Sequence, residues 1–363
     1  MEKIRVLHLE LDEHLGGIES FLYNLYSQID RNAVEFDFIT RADNPAKGVE
    51  LSELEAHIYK ISPYNHPFKY MKDLNRVISK GNYDVIHIHK NSAAVVLPFL
   101  ITKRYKNIRV FVHSHNTQSS VGGAASFLHK INKSFLYKNA DIHLACSKVA
   151  GEWLYGKRKY KILKNGIITA KYYYDNEQRK AKRQELGILE DAVVLGNVGR
   201  FTSQKNQRRL VEIFNKYKKI YPNSWLLLVG DGELKTDVKN YVKQLKIDNV
   251  IFTGVRKDIP ALMMAMDCFV MPSLYEGLPI VGVEAQATGL KMVVADTVSK
   301  EIEISSLVTW FSLKDTNEKI TEIIKKTIDT TYNRNNGVNE VKKSGFDMNN
   351  TSKILLEMYQ DKR

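Results

Sequence analysis

The sequence predicts an α/β protein made of two Rossmann-like domains, each a parallel sheet covered by helices. Three observations predict it. The chain has 363 residues, more than one ordinary α/β core needs and a comfortable length for two. Short β-branched runs alternate with amphipathic stretches, the rhythm of βαβ units. That rhythm runs twice, with a polar, tyrosine-rich break near residues 165–190. The expected division is residues 1–165, residues 166–345, and a last helix over 346–363. The two sheets are expected to face each other across a cleft.

Each element follows from its pattern. In the first half, strands are expected at Ile4–Leu9, Val34–Ile39, His57–Ile61, Val85–His89, Val110–His113 and Ile142–Cys146. Helices fall between them, among them Ile18–Ile29 and Phe68–Ser79. Lys161–Leu163 leads into the turn pair Asn165-Gly166. In the second half, strands are expected at Ala192–Val198, Trp225–Val229, Val250–Phe252, Cys268–Met271 and Lys291–Val294. Helices are expected at Asn206–Ile220, Glu233–Leu245 and Ile280–Ala287. The final stretch Asn349–Asp361 reads as an amphipathic helix.

Composition narrows the function classes. The chain is 44% hydrophobic and 26% charged, as soluble globular proteins are. Its net charge of +13 points to an anionic partner, whether phosphate-bearing substrate or membrane surface. The basic residues are scattered and no recognition motif appears, so no nucleic-acid partner is expected. Cys146 and Cys268 sit in separate apolar, strand-like contexts and read as buried thiols, without metal or redox spacing. The longest apolar stretch, Ala93–Ile101, is too short to span a bilayer. A cytoplasmic protein is expected, at most peripheral to a membrane.

In open parallel sheets ligands sit beyond the carboxyl ends of the strands, so the loops there carry the candidate chemistry. The first, Leu15-Gly16-Gly17-Ile18-Glu19-Ser20, lets backbone approach a ligand at a helix start. It lacks the G-x-G-x-x-G of dinucleotide sites. The second, His113-Ser114-His115-Asn116, places imidazoles where they can hydrogen-bond a sugar hydroxyl. His87 and His89 alternate on the preceding strand and read as core residues, with cleft lining as the alternative. The third, Gly199 to Asn206, offers Arg200 and Lys205, a fork of donors and a point charge suited to a diphosphate.

The fourth loop runs from Glu276 to Ala285. Pro279 suits a helix start and Gly277 allows close backbone approach. Glu276 can then reach sugar hydroxyls while Glu284 reaches a ribose, because each carboxylate oxygen accepts a hydrogen bond. Gly282 and Val283 are expected to turn amides toward phosphate. A carboxylate pair acting as general acid and base is the competing reading of the same residues.

Together these loops resemble the family-4 retaining glycosyltransferases of the GT-B fold, over nearly the whole chain. PSLYEGLPIVGVEAQATG, Pro272 to Gly289, resembles that family's E-x7-E signature. GRFTSQKN resembles its phosphate-binding segment, GGIES its N-terminal glycine loop, and the Asn165-Gly166-Ile167 turn its interdomain crossing. The resemblance implies that Arg200 and Lys205 grip the donor diphosphate and Glu284 binds the ribose. Glu276 contacts the transferred sugar, with backbone support from Gly277, Leu278, Pro279 and Ile280. Gly16 and Gly17 border the donor, as does Gly230, while Val255 and Arg256 flank the base. Either His113 or His115 takes the place of the active-site histidine, and the resemblance also implies that the last helix, 346–363, returns to the first domain.

The HSHNT, ACSKVAGEWLYG and SLYEGLPIVGVEAQATGL segments resemble bacterial capsular and exopolysaccharide transferases. That implies a UDP-sugar donor and a polyprenyl-diphosphate-linked glycan acceptor, with the basic run Lys103-Arg104-Tyr105-Lys106 touching anionic lipid. No D-x-D occurs in the chain, so no metal and no cofactor is expected; Arg200 and Lys205 stand in for a divalent ion. Two other readings compete: a nucleotide-sugar 2-epimerase, and a catalytically silent GT-B subunit.

Overall fold

The computed structural model describes residues 3–13, 16–115 and 123–361. Leu15 and Asn116, which belong to two of the loops singled out above, lie outside the described residues. The chain divides into two compact units: residues 1–167 with 345–363, and residues 168–344.

The first unit carries a seven-stranded sheet. Its strands are β1 (Ile4–Leu11), β2 (Val34–Thr40), β3 (His57–Lys60), β4 (Val85–Lys90), β5 (Arg109–Ser114), β6 (Ile142–Ala145) and β7 (Lys161–Ile162). All pair in parallel, in the order β3-β2-β1-β4-β5-β6-β7. The crossovers are α1 (Gly17–Gln28), α2 (Gly48–Glu53), α3 (Pro67–Gly81), α4 (Leu97–Thr102), α5 (Gly123–Lys138) and α6 (Lys148–Tyr155). α3 shows why such segments become helices here. Tyr70, Leu74, Val77 and Ile78 recur at helical spacing and are buried, and Pro67 opens the first turn.

The helix Met348–Gln360 completes this unit and packs beside α1. Its Tyr359 hydroxyl is 2.6 Å from His87 Nδ1, and Arg109 of β5 donates to the Met358 carbonyl at 3.0 Å.

The second unit carries a six-stranded parallel sheet. Its strands are β8 (Val193–Val198), β9 (Ser224–Val229), β10 (Val250–Gly254), β11 (Cys268–Met271), β12 (Lys291–Ala295) and β13 (Val308–Phe311), in the order β10-β9-β8-β11-β12-β13. Its helices are α7 (Asn176–Glu185), α8 (Gln207–Ile220), α9 (Lys235–Gln244), α10 (Ile259–Ala265), α11 (Ile280–Ala287), α12 (Asn317–Asp329) and α13 (Gly337–Lys343). α8 buries Leu210, Val211, Phe214 and Tyr217 against the sheet. α7 holds on differently. It has hardly any apolar surface, and Arg179 and Arg183 tie it to Asp267 at 2.6 and 2.7 Å.

Strand order reverses between β1 and β4 in one sheet and between β8 and β11 in the other. At such switch points the loops diverge and leave a crevice. Cys146 and Cys268 are both buried, and among the described residues no helix is long and apolar enough to cross a membrane.

Candidate active site

In the first unit, the loops after β1, β2, β4 and β5 enclose a cavity of about 700 Å³. Gly16, Gly17, Glu10, Arg41, Tyr64, Lys90 and His115 are among its lining residues. Gly16 caps α1 in an extended conformation, and the Glu19 carboxylate accepts its N–H at 3.0 Å and that of Asp12 at 3.2 Å. This is the backward half of a capping box. Burial raises the Glu19 pKa. A Cβ on Gly17 would meet nothing within 4 Å, so the glycine keeps space open rather than relieving a clash.

The structure places the two candidate histidines differently. His113 is the fifth residue of β5, wholly buried against Phe21, and does not line the cavity. His115, one residue beyond the strand end, does line it. The two were expected to be equivalent because they share a side of an extended chain. The strand ends between them, and only the outer ring reaches the crevice.

His115 terminates a row of buried imidazoles. His8 Nδ1 lies 3.0 Å from His89 Nε2, His89 Nδ1 lies 2.9 Å from His115 Nε2, and Asn165 Nδ2 reaches His115 Nδ1 at 3.3 Å. An amide N–H can only donate, so in this arrangement His115 Nδ1 accepts and its Nε2 carries the proton inward. Burial is the main reason that all five rings of β1, β4 and β5 have depressed pKa values, with His8 and His113 lowered to about 3. Side-chain nitrogens of His8, His87 and His89 lie within 4.8 Å of one another, as do those of His89, His113 and His115. Neutral imidazoles suit a transition metal; the His8–His89 and His89–His115 nitrogens are engaged with each other, whereas His8 Nε2, His87 Nε2 and both nitrogens of His113 are buried without a hydrogen-bond partner.

Sequence reasoning missed the charged wall of this cavity. Glu10 adopts φ 83°, where the β1–β2 register shifts between Leu9 and Leu11. That bulge turns its carboxylate toward Lys90 at 2.6 Å and Arg41 at 3.0 Å, and Tyr64 also donates to it. Lys90 is only 5% exposed. A lysine following an alternating His-x-His strand was the available signal, because a buried cation requires a partner.

In the second unit, the loop after β8 meets the loop after β11. Leu274 N–H donates to the Gln204 carbonyl at 2.8 Å. Gln204 Nε2 donates to the Tyr275 carbonyl at 3.0 Å, and Asn206 Nδ2 to the Pro272 carbonyl at 3.1 Å. Across this seam Lys205 Nζ pairs with Glu276 Oε1 at 2.6 Å, both largely shielded from solvent. The Lys205 stem lies over Gly199, where a Cβ would be in ordinary contact with it at 3.5 Å. Gly230 has φ 131°, and a Cβ there would fall 2.2 Å from the Gly199 carbonyl oxygen. Only glycine lets the β9 end approach the β8 loop so closely.

Arg200 stands apart from that pair. Its side chain is 54% exposed and leans toward Glu233 at 3.4 Å. Glu284, on α11, accepts from the Tyr172 hydroxyl at 2.6 Å. Burial pushes the Glu284 pKa up to about 7 against the lowering effect of that hydrogen bond. Tyr172 was not singled out from the sequence, since the run Tyr172-Tyr173-Tyr174 gives no reason to prefer one ring.

Two expectations need correction. The Gly282 amide donates to the Pro279 carbonyl at 2.9 Å, and Val283 is buried. Neither turns an amide outward. Gly282 is needed for packing, because a Cβ would fall 2.6 Å from Ile302. Arg256 was expected beside a nucleotide base, yet its guanidinium is bound by Asp258 at 2.6 Å and Glu185 at 2.8 Å. Val255 is exposed. Pro279 caps α11 and Ile280 begins it, behind Gly277 and Leu278.

Two parallel-sheet units with polar loops converging at their switch points are the build of GT-B glycosyltransferases. Residues 15–171 match the model of Glycosyltransferase Family 4, and residues 178–343 match that of Glycosyl transferases group 1. The chain is a glycosyltransferase of the family-4 type.

EpsF of Bacillus subtilis, named as a glycosyltransferase, is 29% identical over 86% of this chain and 84% of its own length. UDP-Gal:alpha-D-GlcNAc-diphosphoundecaprenol alpha-1,3-galactosyltransferase of Escherichia coli is 25% identical over 91% of this chain and 90% of its own. Among solved structures, HepE of Anabaena in complex with UDP superposes with a TM-score of 0.80 at 20% identity, covering 99% of this chain and 100% of that one. It shows the shared fold.

Proposed function

We propose that this glycosyltransferase moves a sugar, with retention of anomeric configuration, from a UDP-sugar to a polyprenyl-diphosphate-linked glycan during surface polysaccharide assembly. The observation that carries this reading is the Lys205–Glu276 pair, held across two loops bonded to each other at the β8/β11 switch point. A cation and a carboxylate so placed suit the two halves of an activated sugar. Lys205 faces the leaving diphosphate and Glu276 the hydroxyls of the transferred ring. Arg200, half-exposed and lightly held, is free to swing from Glu233 onto the diphosphate. Glu284 takes the ribose diol once ionised. The matched relative that acts on a diphosphoundecaprenol-linked sugar supports the acceptor class.

The chemistry is then positioning and charge stabilisation. The bond between the anomeric carbon and the diphosphate oxygen breaks through an oxocarbenium-like state. The acceptor hydroxyl adds on the same face, and its proton passes to the departing oxygen. Cations stabilise the charge that gathers there, so no divalent metal is required. His115 lines the first unit's cavity as a neutral ring, suited to contact with uncharged sugar.

Thermal shift and turnover assays test the reading. UDP is expected to raise the melting temperature of the native chain and not that of Arg200→Ala, and chelators are expected to leave transfer unchanged. Sugar interconversion from donor alone, without transfer onto lipid-linked acceptors, would overturn it in favour of an epimerase.

A further inference from the structure

Of the three successive tyrosines near the start of the second unit, Tyr172, Tyr173 and Tyr174, only Tyr172 is buried. The segment Thr169–Tyr172 is a 3₁₀ turn, in which residues three apart lie one above the other. Thr169 and Tyr172 are therefore buried together, while Ala170 and Lys171 are exposed. Tyr173 is 49% exposed, and the Tyr174 ring lies 4.4 Å from the Arg334 guanidinium. Tyr172 meets α11 instead, where its hydroxyl donates to Glu284 Oε1 at 2.6 Å. Glu284 is only half-buried, so the tyrosine stands behind a carboxylate whose other side stays open.

The two groups suit each other in one direction. Burial pushes the Tyr172 hydroxyl pKa well up, so the hydroxyl keeps its proton and donates. A vicinal diol needs two acceptors, one for each hydroxyl. A carboxylate supplies both only while ionised, because protonation turns one oxygen into a donor. Burial drives Glu284 toward the protonated form, and the Tyr172 bond opposes it. The elements packed against α11 bring Lys171 from the 3₁₀ turn, Lys291 from β12, and Glu340, Lys342 and Lys343 from α13. Of these charges Lys171 bears on Glu284, and it too favours the carboxylate. Lys171 is exposed and open to screening by salt, whereas the Tyr172 bond is sheltered.

We propose that Tyr172 is a positioning residue for the nucleotide: its hydroxyl fixes the Glu284 carboxylate and keeps both oxygens available to the ribose diol. The inference rests on the reading that Glu284 takes the ribose, and it adds a group that acts through Glu284 without touching the donor. A phenylalanine at position 172 would fill the same space and leave Glu284 without its donor. Glu284 would then be protonated at neutral pH and accept from only one ribose hydroxyl. The loss of nucleotide affinity would therefore depend on pH.

Calorimetric titration of UDP into the full chain, Tyr172→Phe, Glu284→Gln and the double variant, from pH 6 to 9, tests it. The phosphates of UDP titrate in part of this range, so each variant is compared with the parent at equal pH. Tyr172→Phe is expected to displace the rise in affinity upward by about one pH unit. Affinity would then fall about fivefold at pH 7 and stay within about twofold of the parent at pH 9, which also shows that the variant folds. In turnover the loss should appear in KM for the donor rather than in kcat. With Glu284→Gln already present, Tyr172→Phe should cost nothing further, because the hydroxyl acts through the carboxylate. An equal loss at every pH would assign Tyr172 to packing alone and overturn the proposal, as would additive losses in the double variant. Glu284→Gln matching the parent at every pH would overturn the ribose reading, and this inference with it. A Tyr172→Phe profile that overlays the parent's, beside a flattened Glu284→Gln profile, would strike this inference alone.

Discussion

The two units share an architecture, but the first adds to its buried Glu10, Lys90 and Arg41 cluster a row of imidazoles that has no counterpart in the second. The first fills the carboxyl end of its central strands with neutral imidazoles, bonded to one another and to Tyr359. The second relies on charge, with Lys205 on Glu276 and a pair of arginines on Asp267. An imidazole row avoids the desolvation cost of ions, at the expense of tolerance to acid. Ion pairs hold across a wide pH range but leave a costly orphan when one partner is removed. The lesson is that one sheet topology accepts either solution.

The sharpest way to break the comparison is at Arg183. It is buried, pairs with Asp267 and donates to the carbonyls of Ala265, Glu190 and Ala192. Arg183→Met should destabilise the second unit by about 1–3 kcal/mol, because the Ala265, Glu190 and Ala192 carbonyls lose their buried donor while Asp267 keeps Arg179. Urea denaturation followed by amide exchange in residues 168–344 measures it. Next comes activity. Arg200→Ala or Lys205→Ala should each lower turnover by about a hundredfold, roughly 2.7 kcal/mol of transition-state stabilisation. A loss below threefold at saturating donor would remove them from the chemistry.

pH sharpens the contrast further, with opposite signs. The buried histidines have folded pKa values below the unfolded 6.5, so the unfolded chain binds more protons and the first unit loses stability as pH falls below 6.5. For His8 and His113 the loss continues toward pH 3, at about 1.4 kcal/mol per pH unit for each ring. Stability that stays flat between pH 7.5 and 5 would refute the neutral row. Glu284 runs the other way. Its pKa is raised to about 7, so the folded chain binds more protons between 4.5 and 7, and stability falls as pH rises through that window. Nucleotide affinity should instead tighten from pH 6 to 8 as the carboxylate forms, and Glu284→Gln should flatten the profile; isothermal titration with UDP reads it. The smallest effect is expected at Asp175, which caps α7 by accepting from the Glu177 and Gln178 amides. Asp175→Ala should lower the melting temperature slightly, through loss of the helix cap.

Much of the fold was legible because buried parallel strands are apolar, β-branched and regularly spaced. Eleven of the strands followed from that pattern, while the short Lys161–Ile162 was read only as a lead-in to a turn. β13 did not, since Val308-Thr309-Trp310-Phe311 is brief and lacks a regular apolar alternation. α7 was illegible to hydrophobic periodicity because arginine salt bridges hold it in place of apolar contacts. α5 escaped because its most visible stripe points to solvent. Lys205 and Glu276 were legible as residue types in loops at strand ends, and the family resemblance supplied their roles. The Glu10, Lys90 and Arg41 cluster was not, because it depends on a bulge that no local pattern announces. Choosing His115 over His113 required knowing where β5 stops.

One feature of the connectivity bears on how the molecule is made. The helix Met348–Gln360 supplies Tyr359 to His87 and carbonyls to Arg109, yet 177 residues of the second unit are translated before it. During synthesis β4 and β5 therefore emerge long before their final cover. The first sheet must wait with one helix missing while the second folds, and only then is His87 sealed. A chaperone encountering the nascent chain would find its exposed surface there.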